Sequence, residues 1–140
     1  MKNIITGAIL LLVISTAVSA QNTRMEQANS MLNSETILTY SNLEDAQLIA
    51  ENNPTVLFFY ARWCPSCRTA LKNIESNLSK LEDITVIIVN YDKNSELKRN
   101  YGVTYQHTYV QIDGQGNKVS LWNGGDIYSI LQNVDRNGLY

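Results

Sequence analysis

The chain has 140 residues, with 11 basic against 13 acidic side chains and a formal charge of −2, so it lacks the basic surplus that nucleic-acid phosphates attract. Two cysteines and a single histidine leave a four-ligand structural zinc site one donor short unless a carboxylate or a second chain supplies it. A hydrophobic share of 44% in a chain of this length suits one compact domain with its own core.

Residues 1–20 carry one positive charge at Lys2, an apolar run from Ile4 to Ile14, and the small-residue end Val18-Ser19-Ala20. That is the pattern of a secretory signal peptide with its cleavage site. The apolar stretch falls short of the roughly 20 residues a spanning helix needs and is interrupted by Thr6, Gly7, Ser15 and Thr16, so membrane attachment is expected only if the leader stays uncleaved. Loss of Lys2 with the leader makes the remaining chain one unit more negative. Export to a periplasmic or secreted setting allows a disulfide to persist. Residues 21–33 are polar without an apolar period and read as a flexible lead-in, which puts the folded domain at 34–140.

Within that domain, Glu35 to Tyr40 reads as a short strand. Ser41-Asn42-Leu43-Glu44 has the spacing of a capping box before a helix that runs to about Asn52. Thr55 to Tyr60 is continuous, β-branched and aromatic, the composition of a strand covered on both faces. Leu71, Ile74 and Leu78 recur at helical spacing and carry the next helix to about Leu81. Ile84 to Asn90 repeats the pattern of a central strand. Asn94 to Tyr101 forms a short helix ended by Gly102. Thr108 to Ile112 and Lys118 to Trp122 are strands joined by the turn Asp113-Gly114-Gln115-Gly116-Asn117. Gly124-Gly125 breaks the chain before Asp126 caps a last helix with the stripe Ile127, Ile130, Leu131 and Val134. The order is β-α-β-α-β-α-β-β-α.

The two cysteines stand in Trp63-Cys64-Pro65-Ser66-Cys67, where the first central strand gives way to a helix. Pro65 suits the first helical position, because its missing N–H is not needed there and its φ is preset. Cys64 then flanks the helix start, where unpaired N–H groups and the dipole favour a thiolate, and it is expected to be exposed and acidified. Cys67, one turn on, is expected on the inner side as a resolving thiol. As a mere staple the pair is a poor choice, since closing a four-residue loop is worth about 2 kcal/mol against about 3 for fifteen residues.

A Trp-Cys-x-x-Cys run between a buried strand and a helix, in this element order, resembles the thioredoxin family over about Ser34 to Asn137. The resemblance implies a thioredoxin-like α/β fold, with a central mixed β-sheet flanked by helices. It also implies a monomeric thiol-disulfide oxidoreductase that uses no bound organic cofactor and exchanges disulfides with protein thiols and a redox partner protein. Cys64 attacks, Cys67 resolves, Trp63 faces the substrate beside Pro65 and Ser66, and the loop Gln106-His107-Thr108 faces the dithiol and contacts the substrate backbone. Arg62 and Arg68 receive no catalytic role, and Asp92 reads as a turn or cap residue.

Three positions depart from the family pattern. Phe58 stands where the family has a buried Asp that helps move the proton of the resolving thiol, and Ile88 replaces a Lys usually near it. His107 replaces a cis proline. A cis peptide before a non-proline residue costs about 3 to 4 kcal/mol, so a trans bond is expected before His107. The copper-delivering Sco family, which shares the fold, is similar at His107-Thr108, although its cysteines are usually one residue further apart; that similarity implies a copper carrier using Cys64, Cys67 and His107. Three roles for His107 therefore stand side by side: a loop residue hydrogen-bonded to backbone, an imidazolium that favours the Cys64 thiolate, and a metal ligand.

Overall fold

The computed structural model describes residues 36–137. The leader (1–20), the lead-in (21–33) and the start of the domain at Ser34 lie outside the described residues. The described elements follow the expected order, with strands β1 (Ile37–Thr39), β2 (Thr55–Tyr60), β3 (Thr85–Asn90), β4 (Thr108–Ile112) and β5 (Lys118–Asn123). The helices are α1 (Leu43–Ala50), α2 (Pro65–Glu75), α3 (Ser95–Tyr101) and α4 (Ile127–Asn133). The sheet order is β1-β3-β2-β4-β5; β1 and β2 run parallel to β3, while β4 pairs antiparallel with both β2 and β5.

Alternation along β2 builds two cores. Val56 and Phe58 face Ala70 and Ile74 of α2 and Ile127 and Ile130 of α4, whereas Leu57 and Phe59 face Ala46 and Ile49 of α1 and Leu97 and Tyr101 of α3. Thr55 through Phe59 are all buried, as a strand in the middle of a covered sheet must be. The mixed sheet thus lies between two helical layers, and the end of β2 delivers the chain into α2.

Several boundaries differ from the expectation. Asn42, not Ser41, caps α1: its Oδ1 accepts the Asp45 N–H at 2.9 Å, while its own Nδ2 donates to the Asp45 carboxylate at 2.8 Å. The reciprocal cap is real but shifted by one residue. Helix α1 stops at Ala50 because the Asn52 side chain donates back to the Leu48 carbonyl at 3.2 Å and its backbone N–H bonds Ile49. Helix α2 stops at Glu75 instead of Leu81. There the Ser76 hydroxyl and the Asn77 amide donate to the Lys72 and Asn73 carbonyls, both at 2.8 Å, and a 3₁₀ turn follows at Leu78–Lys80. Leu78, counted into the apolar stripe, is 40% exposed as a result. Strand β3 begins at Thr85, one residue after Ile84, and β1 is shorter than Glu35 to Tyr40.

Other junctions stand as read. Gly102 takes φ +74° at the end of α3, a conformation glycine reaches without the Cβ penalty, and the Asp126 side chain accepts the Tyr128 N–H at the start of α4. Asn42→Ala removes the cap of α1 and is expected to lower stability by about 1 kcal/mol, read from the midpoint of urea unfolding; an unchanged midpoint would show that the cap carries no stability.

Candidate active site

Strand β2 ends at Tyr60, and the Cys64 N–H bonds the Ala61 carbonyl at 3.1 Å, turning the chain into α2. Cys64 is the N-cap of that helix, with φ −83° and ψ 114°; its sulfur accepts the Cys67 N–H at 3.1 Å, with Pro65 in the first turn. Cys64 and Cys67 are joined as a disulfide, their Cα atoms 5.3 Å apart. The helix start therefore offers one of its unpaired N–H groups to the sulfur where negative charge develops on reduction. The expected exposure of Cys64 is corrected: the residue is 2% exposed and Cys67 fully covered, both packed into the core shared by α2 and α4.

Trp63 is 58% exposed beside the pair, and its indole N–H points at the Asp92 carboxylate, 3.2 and 3.1 Å from the two oxygens. Asp92 follows β3, where the Asn90 side chain accepts its backbone N–H. Asp92 thus does more than shape a turn: it holds the aromatic wall of the site. Nothing in the sequence announces this contact, which spans 29 residues. The Arg68 guanidinium donates to the Arg62 carbonyl at 2.9 Å, a local contact at the helix start.

The loop before β4 closes the other side. No peptide bond among the described residues is cis, so the bond before His107 is trans as expected; His107 instead takes φ +60°. A left-handed conformation costs a residue with a Cβ about 1 to 2 kcal/mol and persists only when its surroundings enforce it. Here they do. The His107 N–H donates to the Phe59 carbonyl at 2.9 Å, and its carbonyl accepts the Gly124 N–H at 2.7 Å. Its ring lies 5.7 Å from Phe58 and 5.8 Å from Tyr109, centre to centre.

Both ring nitrogens of His107 are engaged, Nδ1 with the Ser66 hydroxyl at 3.0 Å and Nε2 with the Gly125 carbonyl at 2.8 Å. Ser66 Oγ also lies 3.2 Å from the Cys64 sulfur. His107 is only 9% exposed. The backbone-bonded reading of His107 thus describes Nε2, while Nδ1 reaches toward the dithiol. The nitrogen and the two sulfurs gather within 4.8 Å of one another.

The neighbouring loop residues have structural employment. Thr108 is buried; its hydroxyl donates to the Tyr105 carbonyl at 2.7 Å and accepts from the Asn123 amide at 2.9 Å. The Gln106 carbonyl accepts from that same amide at 3.1 Å. Thr108 therefore shapes the loop from within. Tyr105, which the sequence did not single out, is the exposed tip at 69%.

Phe58 is fully buried, in register with Ile88 on one side and Tyr109 on the other, and stacks on Tyr109 at 4.4 Å. Tyr109 in turn stacks on Trp122 at 5.3 Å. An aromatic column thus fills the place beneath the disulfide. Burial, reinforced by the charge of Asp126, pushes the Tyr109 phenol far above its ordinary value, so it remains a neutral donor, placed 3.3 Å from the Gly125 carbonyl.

A family model described as thioredoxin matches residues 36–135. Among curated proteins, the chain is 31% identical over 83 residues to thioredoxin-T of Drosophila melanogaster, an alignment covering 59% of this chain and 52% of that one. It is 27% identical over 118 residues to a protein disulfide-isomerase of Ricinus communis, covering 83% of this chain and 21% of that one. The chain therefore spans only about half of the first relative and a fifth of the second. Among solved structures, reduced Schistosoma mansoni thioredoxin superposes with a TM-score of 0.60 at 26% identity, covering 70% of this chain and 94% of that one.

Proposed function

The chain belongs to the thioredoxin family, and from that membership we propose that it is an exported oxidoreductase exchanging disulfides with the thiols of other proteins through Cys64 and Cys67. The observation that carries the reading is the disulfide at the start of α2, with the Cys64 sulfur receiving the Cys67 N–H. In the reducing direction, the Cys64 thiolate attacks one sulfur of a partner disulfide. The partner S–S bond breaks, a mixed disulfide to Cys64 forms, and the second partner sulfur leaves as a thiolate that takes up a proton. Cys67, having given up its own proton, then attacks the Cys64 sulfur; the Cys64–Cys67 bond forms and the first partner sulfur is released as a thiol. Oxidation of a partner dithiol is the reverse sequence.

Trp63, anchored by Asp92, and the exposed Tyr105 are the aromatic surfaces we assign to contact with the partner protein. Export rests on the leader pattern at 1–20 and on the compatibility of a stable disulfide with an oxidising compartment. The gathered donors Cys64, Cys67 and His107 resemble a copper set, but the family match supports disulfide exchange, so exchange is the reading proposed.

The test is equilibration of the protein with glutathione redox buffers, alongside reduction of a protein disulfide by the dithiol form. Phe58 leaves no carboxylate beneath the pair to oppose a thiolate, and the Cys67 N–H supports one. A stabilised reduced form makes a stronger oxidant, so the potential is expected to lie above about −270 mV, toward the −120 mV of a strong oxidant. A value at or below −270 mV overturns that direction; no exchange in either direction overturns the function.

A further inference from the structure

Three side chains are linked in a line that the dithiol chemistry above does not use: the Cys64 sulfur to Ser66 Oγ at 3.2 Å, Ser66 Oγ to His107 Nδ1 at 3.0 Å, and His107 Nε2 to the Gly125 carbonyl at 2.8 Å. We propose that Ser66 and His107 form a proton relay that takes the proton of the Cys64 thiol and returns it to the leaving sulfur. The proposal rests on the disulfide-exchange reading of the site and adds to it the route of the proton.

The far end of the line sets its direction. A carbonyl oxygen only accepts, so the His107 Nε2 facing Gly125 must carry a hydrogen. In the neutral ring Nδ1 is then the unprotonated nitrogen, and it accepts the Ser66 hydroxyl. Ser66 Oγ retains lone pairs for a thiol S–H. In the reduced protein the Cys64 proton passes to Ser66 Oγ as the Ser66 proton passes to Nδ1, leaving a thiolate, an unchanged serine and an imidazolium. The imidazolium now donates through Nδ1 to Ser66, freeing the hydroxyl to donate to the thiolate. When the partner's sulfur leaves as a thiolate, the imidazolium returns its proton through Ser66 to that sulfur, Cys64 now being bonded in the mixed disulfide; the proton of Cys67 passes through solvent to the partner sulfur released at resolution, so charge and protons balance over the cycle.

The loop is built to hold this arrangement. Gly124 and Gly125, at φ +79° and +94°, turn the chain so that the Gly125 carbonyl faces the ring, and His107 is kept in its left-handed conformation by backbone bonds to Phe59 and Gly124. The imidazole packs beside the Phe58–Tyr109 stack, only 9% exposed. The titratable groups around it are Cys64 and Cys67 at the start of α2, the Tyr109 phenol on β4 and, next along from Gly125, the Asp126 carboxylate at the start of α4. Tyr109 stays neutral and cannot compete for the proton; Asp126 is engaged with the Tyr128 N–H.

The experiment follows the pH dependence of iodoacetamide alkylation at Cys64 in the reduced full chain, with Ser66→Ala and His107→Asn. Ser66 is exposed, so Ser66→Ala leaves the fold intact, and asparagine tolerates positive φ while lacking a titrating ring. Both variants are expected to displace the rise of the profile upward by about one pH unit, slowing alkylation at pH 7 about tenfold. Profiles coincident with the wild type overturn the relay. A shift in His107→Asn alone also overturns it, because that is the signature of imidazolium charge acting without Ser66. Reduction of a protein disulfide by the wild type is measured in parallel. If it fails at every pH, the exchange reading falls; if it proceeds while the alkylation profiles coincide, only the relay falls.

Discussion

Cys64→Ser is expected to lower the rate of protein-disulfide reduction on the order of a thousandfold or more, while leaving the fold in place. Serine is as good an N-cap as any residue, so its hydroxyl can take over the Cys67 N–H that the sulfur receives now, and α2 keeps its start. What disappears is the sulfur itself, and no hydroxyl forms a mixed disulfide. Cys67→Ser should behave differently: the first attack still occurs, but nothing breaks the mixed disulfide, so a covalent adduct with the partner accumulates. Turnover of a protein disulfide, with non-reducing gels for the adduct, reads both results. Undiminished turnover in Cys64→Ser, or an adduct that forms on Cys67 in its absence, would reverse the assignment of attacking and resolving thiols.

Phe58→Ala is expected to cost about 3 to 5 kcal/mol, the range for deleting a fully buried aromatic ring, and to lower the melting temperature by more than 10 °C. The reason is position. Phe58 lies between Ile88 and Tyr109 on the central strands, stacks on Tyr109 at 4.4 Å, and supports the ring of His107. The cavity opens directly beneath the dithiol, so the seat of His107 loosens along with the core. Urea unfolding of the reduced and oxidised forms measures the cost; a loss under about 1.5 kcal/mol would mean that Tyr109 and Trp122 collapse into the gap, and that the column is adaptable rather than fixed.

How much of this was legible from the chain alone depends on the range of the interaction concerned. Thr55 to Tyr60 and Thr85 to Asn90 are readable as central strands because burial on both faces demands an unbroken apolar run. The ends of α1 and α2 were overrun by two to six residues, because Asn52, Ser76 and Asn77 turn their side chains back onto helix carbonyls and apolar spacing is blind to that. The shift of the α1 cap from Ser41 to Asn42 is similar: Ser-x-x-Glu and Asn-x-x-Asp overlap in the same five residues, and backbone geometry chose between them.

The site divides in the same way. The disulfide, its place at a helix start, the N1 proline and the lack of a carboxylate at Phe58 are matters of three or four neighbouring residues and one strand register, so the amino-acid order alone determined them. The grip of Asp92 on Trp63 across 29 residues, and the reach of His107 to Ser66 across 41, required β3 and β4 to be stacked beside β2. No local pattern specifies such contacts, because each depends on chain segments brought together only by the packing of the two cores. The sequence therefore determined that this protein carries a dithiol at the end of a buried strand. Only the tertiary structure decided that the histidine facing it is held in a left-handed turn, with one nitrogen committed to a carbonyl and the other bonded to the Ser66 hydroxyl beside the sulfur.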